Sequence, residues 1–191
     1  MLYVTRHGQT PWNVENIICG RTDVPLTDMG QEQACEAGRV LAREGVKFDR
    51  IIASPLMRAQ KTAELIAREV GFDKSAVETD ERIIEFDFGE FEGIDCDSEL
   101  FLAYKAQPTL GFPRGESVLK VAQRTYNLID ELKERAQARA AEGLSEENVL
   151  LVCHGATARV INTYFDPMTL DDYMAWALDN TQVVWLSLIH I

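Results

Sequence analysis

Short apolar runs alternate with stretches whose apolar residues recur at helical spacing, and the alternation continues for nearly the whole chain. That pattern predicts an α/β protein in which strands of a largely parallel sheet are joined by crossover helices. Leu2 to Thr5 reads as the first strand. Thr27 to Glu44 reads as a helix with Ala34, Ala37, Val40 and Leu41 on its inner face, stopped by Gly45. Phe48 to Ala53 is the next strand, and Ser54-Pro55 carries the signature of an N-cap followed by proline at the first helical position. Ala59, Ala63, Ile66, Ala67 and Val70 give the helix that follows a buried face. Val77 to Thr79 reads as a short strand, and Ile83 to Gly93 as an irregular acidic and aromatic stretch. From Ser117 onward, Val118, Val121, Ala122, Thr125, Leu128, Ile129 and Leu132 mark a long amphipathic helix. Val149 to Cys153 is a buried strand, Thr157 to Tyr164 lies in a helix, and Gln182 to Leu188 is the last strand.

Within that pattern, three strands end in polar residues: Arg6-His7-Gly8 after the first, Ser54 with Arg58 after the second, and His154-Gly155 after the late one. Ligands of open parallel sheets bind beyond the carboxyl ends of the strands, so the three sets are expected to face one crevice. Arg58 falls in the first turn of its helix, where the macrodipole disfavours a cation and free amides attract an anion. A phosphate between Arg58 and Arg6 resolves that conflict through bidentate, charge-assisted hydrogen bonds. A neutral His7 supplies a nucleophile for phosphorus, Arg6, Arg58 and His154 supply charge stabilisation, and Gly8 and Gly155 allow close backbone approach. The acid for the leaving group is expected among the carboxyl groups around Ile83 to Gly89. Glu85, with apolar neighbours that favour the protonated form, competes with Asp87, Glu81, Glu90 and Glu92.

Composition narrows the partners. The 191 residues are enough for one substantial core, so a single domain over residues 1–191 is expected. A net charge of −12 argues against nucleic acid or an anionic membrane as a partner, and no apolar stretch is long enough to span a bilayer. The first residues lack the features of an export signal, and Cys19, Cys35, Cys96 and Cys153 form no close pairs, so free thiols and a cytoplasmic location are expected. Two arginines in the crevice would repel a cation, so no metal is expected there.

These residues resemble the histidine phosphatase superfamily, which includes the cofactor-dependent phosphoglycerate mutases. The ordered matches are Arg6-His7-Gly8-Gln9-Thr10, Trp12-Asn13, Gly20, Asp23-Val24-Pro25-Leu26-Thr27, Ser54-Pro55-Leu56 with Arg58, Thr62-Ala63, Glu85 ahead of Phe88-Gly89, Glu92-Gly93, Gly115-Glu116-Ser117 and His154-Gly155. The resemblance implies a three-layer α/β/α sandwich around a mostly parallel, six-stranded mixed sheet. It implies that His7 is phosphorylated, that Arg6, Arg58 and His154 hold the phosphoryl group, and that Glu85 is the proton donor. Gly8, Gln9, Thr10, Asn13, Cys19, Gly20, Gly155 and Ala156 would then complete the substrate pocket, with no cofactor required.

Cys19 and Ala156 depart from the residues common among relatives. Mutase members also carry a longer basic insertion over the pocket. Here residues 94–115, the expected substrate-covering segment, offer only Lys105 and Arg114 against Asp95, Asp97 and Glu99. That balance ranks hydrolysis of a small phosphorylated metabolite above mutase activity, and both above a non-catalytic phospho-ligand sensor. The oligomeric state stays open, a homodimer included. Elsewhere Trp12 is expected to order its loop, Trp176 and Trp185 to lie in the core or at its edge, and Arg21 to pair with Asp23. Cys153 is expected to act as a small apolar residue, Asp171-Asp172 to cap a helix, and His190 to lie on the surface.

Overall fold

The computed structural model describes residues 1–188, so His190 lies outside the described residues. Its strands are β1 (Leu2–Arg6), β2 (Arg50–Ala53), β3 (Glu78–Thr79), β4 (Val149–Cys153) and β5 (Val183–Leu186). The helices are α1 (Pro11–Val14), α2 (Asp28–Arg43), α3 (Met57–Val70), α4 (Glu99–Lys105), α5 (Val118–Ala141), α6 (Gly155–Phe165) and α7 (Leu170–Ala175). No described helix is long and apolar enough to cross a membrane.

The strands form one sheet in the order β3-β2-β4-β1-β5, parallel throughout except for β5, which runs antiparallel to β1. Among the described residues the sheet has five strands, not the expected six. At the β3 edge Glu78 and Thr79 are exposed, Glu78 is ion-paired to Arg50, and the chain turns away into a 3₁₀ turn at Glu81–Ile83. Charge on an exposed edge disfavours addition of a further strand.

The two faces of β4 show how the layers arise. Strand side chains alternate between faces. Val149, Leu151 and Cys153 pack with Leu128, Ile129 and Leu132 of α5 and Ala158 and Ile161 of α6. Leu150 and Val152 pack with Ala59, Ala63, Ile66 and Ala67 of α3 and Leu41 of α2. The sheet is thus flanked by helices on both sides, as expected for the sandwich, and buried Cys153 behaves as an apolar residue whose thiol is pushed up by burial.

Local differences from the sequence reading have physical causes. Ser54 does not cap α3; the N-cap position is Leu56, which makes no side-chain cap, and the Ser54 hydroxyl contacts His154 Nε2 while accepting from the Leu56 amide at 3.4 Å. On α2 the buried positions are Gly30, Ala34, Cys35, Gly38 and Leu41, whereas Val40 is exposed. Gly38 takes its place inside because α3 crosses so closely that a Cβ there would overlap Glu69. Thr169 caps α7, with Asp171 and Asp172 in its first turn. Trp185, on edge strand β5, is 69% exposed.

Candidate active site

Sheet register brings the site together. Arg6 pairs with Cys153 and Ala53 with Val152, so the next residues, His7, His154 and Ser54, emerge side by side beyond the carboxyl edge of the sheet. The His7 amide donates to the Cys153 carbonyl, and the two imidazole rings lie with centroids 5.1 Å apart.

His7 is almost fully buried, and its Nδ1 lies 2.7 Å from the Gly8 carbonyl. A carbonyl can only accept, so this contact places the ring proton on Nδ1 and leaves the Nε2 lone pair free. Burial, then Arg58 and Arg6, hold the imidazole well below its ordinary value, which keeps it neutral. His154 is also held well below, by burial and then Arg58 and His7. Its Nε2 lies 2.7 Å from the Ser54 hydroxyl.

Arg58 is fully buried and Arg6 half-buried, and neither has a carboxylate partner in contact. Arg58 donates from Nη1 to the Thr22 carbonyl at 2.9 Å and from Nη2 to the Gly20 carbonyl at 2.6 Å, while Arg6 donates from Nη1 to the Leu178 carbonyl at 3.2 Å. Arg6 Nε, Arg58 Nε and His154 Nδ1 are buried with no partner, and they are the only such side-chain atoms among the described residues. Each buried unsatisfied donor costs about 1–3 kcal/mol. Arg6 lines the cavity with His7, whereas Arg58 and His154 do not; the four groups nonetheless lie close enough to act on one another, and the missing acceptors mark the cluster as a candidate anion site.

Glu85 is buried, but its surroundings are not the apolar ones expected. Its Oε1 accepts from the Phe86 and Thr157 amides and the Thr157 hydroxyl, and its Oε2 from the Ala156 amide at 3.2 Å. The N-terminus of α6 therefore fixes the carboxyl group, leaving Oε2 with a single long bond. Glu85 and His7 line the same cavity; Asp87 does not, and its Oδ1 accepts from the Gly89 amide instead.

The other predicted residues divide. Asn13, Cys19, Gly155 and Ala156 line the cavity together with Arg6, His7 and Glu85. Gly155 lies against the Arg6 guanidinium, where a Cβ would sit 3.4 Å from Nε. Gln9 points away, its side-chain oxygen accepting from Thr27, and Thr10 caps α1 in a reciprocal pair with Asn13. Gly8 serves packing: a Cβ would overlap the Gly30 carbonyl at the start of α2. Gly20 contributes the carbonyl that holds Arg58. Arg21 pairs with Glu116 and Asp87, not with Asp23, which accepts from the Met57 amide.

Sequence reasoning passed over Ser54 as a partner of His154, Thr157 as the main donor to Glu85, and Asn180, whose amide donates to the His7 carbonyl at 2.7 Å. Ser54 carried the same signal as Arg6 and His154, a polar residue ending an apolar strand. Among the described residues, no three His, Cys, Asp or Glu side chains gather to hold a metal ion.

The depressed histidines couple pH to stability. In the unfolded chain each takes a proton near pH 6.5, whereas in the fold each resists it. Stability is therefore full above that pH and falls as pH drops toward the folded values, by about 1.4 kcal/mol per pH unit for each histidine. Urea unfolding at pH 7.5 and about 5.5 should show the loss, and a flat profile would contradict it. Carboxylates such as Glu78 and Glu147, held low by hydrogen bonds from Arg50 and Arg135, act only below their ordinary value near 4.5.

The family model for the histidine phosphatase superfamily (branch 1) matches residues 2–190. The chain belongs to this family. Among its relatives in the superfamily, the 2,3-bisphosphoglycerate-dependent phosphoglycerate mutase of Rhizobium meliloti is 33% identical over 184 residues, 91% of this chain and 82% of that protein. A solved mycobacterial glucosyl-3-phosphoglycerate phosphatase superposes with a TM-score of 0.80 at 26% identity, over 95% of this chain and 90% of its own. The α-ribazole phosphatase of Shigella flexneri gives a TM-score of 0.71 at 27% identity, over 95% and 87% of the two chains. Superfamily membership and fold are thereby shown, and relatives of both transfer types stand at similar distance.

Proposed function

We propose that the protein hydrolyses a small phosphomonoester in two steps through a phosphohistidine on His7. The observation that carries this reading is the set of three unpartnered buried nitrogens, Arg6 Nε, Arg58 Nε and His154 Nδ1, near a neutral imidazole with a free Nε2. In the first step Nε2 attacks phosphorus, the bond to the leaving oxygen breaks, and that oxygen takes a proton from the Glu85 carboxyl group. Arg6, Arg58 and His154 hold the equatorial oxygens as charge redistributes. In the second step Glu85 takes a proton from water as the water attacks phosphorus and the phosphorus–nitrogen bond breaks.

Water rather than a second substrate hydroxyl is favoured as acceptor by the sparse basic charge that segment 94–115 brings to the cavity, where Arg159 is the further outer cation. Of the basic residues in segment 94–115, Lys105 lines the cavity; Arg114 does not, and it is 85% exposed and paired with Glu90. The mutase relatives motivate the second reading, return of the phosphoryl group to a sugar-acid hydroxyl.

Incubation with a radiolabelled phosphomonoester should give a phosphoenzyme that is labile to acid and stable to alkali, absent in His7→Ala. Release of inorganic phosphate should exceed isomerisation of phosphoglycerate. Rapid isomerisation with little release would establish the mutase instead, and label retained in His7→Ala would refute the phosphohistidine.

A further inference from the structure

Beyond the phosphate-binding end, the cavity has a second compartment that the reaction does not use. The whole cavity encloses about 330 Å³, within the range of small-molecule sites. Its outer wall is aromatic and aliphatic: Phe86 and Phe88 from the stretch after Glu85, Phe101 and Leu102 from α4, and Leu110 and Phe112 from the connection to α5. The rings form a continuous set, with Phe88 edge-on to Phe112 at 5.1 Å, Phe86 stacked on Phe88 at 5.6 Å and Phe101 stacked on Phe112 at 5.6 Å. Edge and face geometries of this kind favour a further ring over a polar guest.

Several polar groups on the wall are committed to the protein, while the Lys105 ammonium and the Tyr104 and Tyr173 hydroxyls line it as well. Asn13 accepts from the Thr10 amide, Asp97 from the Asn16 amide at 2.9 Å, and Gln107 donates to the Ala103 carbonyl. Arg159 donates from Nε to the Trp176 carbonyl and lies over the Tyr173 ring. Lys105 is pushed down by burial and then by Arg159. A polyhydroxylated leaving group needs a donor and an acceptor for each buried hydroxyl, whereas the aromatic and aliphatic side chains that make up most of this wall offer neither.

We infer that the outer compartment binds the leaving group, and that the protein selects phosphomonoesters with a bulky apolar body, an aromatic ring above all, over sugar and glycerol phosphates. The inference rests on the hydrolase reading and adds the substrate class to it. Leu102 and Leu110 are its most accessible determinants, since both line the compartment and are 42% and 43% exposed, so polar replacements there leave the core intact.

The test compares phenethyl phosphate with glycerol phosphate on the purified full chain. Both leave as alkoxides, so intrinsic leaving ability does not bias the ratio. kcat/KM for the phenethyl ester should be at least about tenfold higher, since even one methylene in an apolar pocket is worth roughly that factor. Leu102→Asn and Leu110→Asn should each shrink the ratio at least about threefold. Equal kcat/KM for the two esters, or a ratio unmoved in both variants, overturns the inference while phosphohistidine formation leaves the hydrolase reading standing. If neither ester yields phosphate or phosphohistidine, both fall.

Discussion

Glu85→Gln should lower kcat on an alkyl phosphate by about 10²- to 10⁴-fold, the range expected for removal of a positioned general acid. An ester whose leaving group departs without a proton, such as para-nitrophenyl phosphate, should phosphorylate His7 at a rate much closer to that of the parent. The asymmetry follows from the geometry: Oε1 is held by three donors on Phe86 and Thr157, while Oε2 keeps only the Ala156 amide, in a residue that lines the same cavity as His7. Glutamine preserves the shape and can still accept from Thr157 through its carbonyl oxygen. Its amide nitrogen then faces the Ala156 N–H donor to donor, a loss of about 1 kcal/mol that the fold can tolerate. Because the same group is needed to activate water, the variant should accumulate phosphoenzyme and show a stoichiometric burst of para-nitrophenol followed by slow turnover. Rapid-quench measurement of both esters decides the matter. Equal slowing of the two would remove Glu85 from the acid role. Asp87→Asn, outside the cavity, should turn over both esters within a few-fold of the parent.

What could be read from the chain follows a physical division. Elements whose apolar residues keep a clear period were legible, because burial of one face is what forms them: β4, buried at all of its positions, and α5 behind Ser117 are examples. Arg6, His7 and His154 were legible as a cluster because each ends such an element on the same edge of the sheet. Pairings between distant residues were not. Ser54 followed by proline is a sound local signal for a helix cap, yet the hydroxyl goes to an imidazole 100 positions away. Arg21 bypasses its neighbour Asp23 for Glu116, which also binds Arg124, because the Asp23 carboxylate is drawn to the start of α3. Gln9 and Thr10 belong to the same family motif as His7, but they secure the loop against α2 and α1 rather than facing the cavity. The identity of the outer compartment was the least legible feature. Its aromatic side chains come from three short segments without a common period, brought together only by the packing of α4 across the cavity.

Arg58→Met should cost about 10²- to 10³-fold in kcat/KM, the loss typical when a fixed donor to a developing anionic oxygen is removed. It should also abolish a stabilisation that the parent shows with oxyanions. In the ligand-free fold Arg58 is completely buried, bound by the Thr22 and Gly20 carbonyls, and left with an unpartnered Nε. Removing it strands two carbonyls, but it also removes a buried cation and its strain on His7 and His154, so the two contributions oppose each other in the empty protein. With ligand present they no longer do. Inorganic phosphate or orthovanadate at about 100 times its Kd should stabilise the parent by about 2.7 kcal/mol, which for a chain of this size is a rise in Tm of about 5–10 °C. Thermal melts of parent and variant, with and without the anion, separate these effects. A variant that melts near the parent temperature but gains nothing from phosphate would show that Arg58 is kept for the anion. An equal gain in both would place the anion elsewhere and remove the foundation of the proposed phosphohistidine mechanism, in which Arg58 also adds to burial in holding the His7 imidazole low.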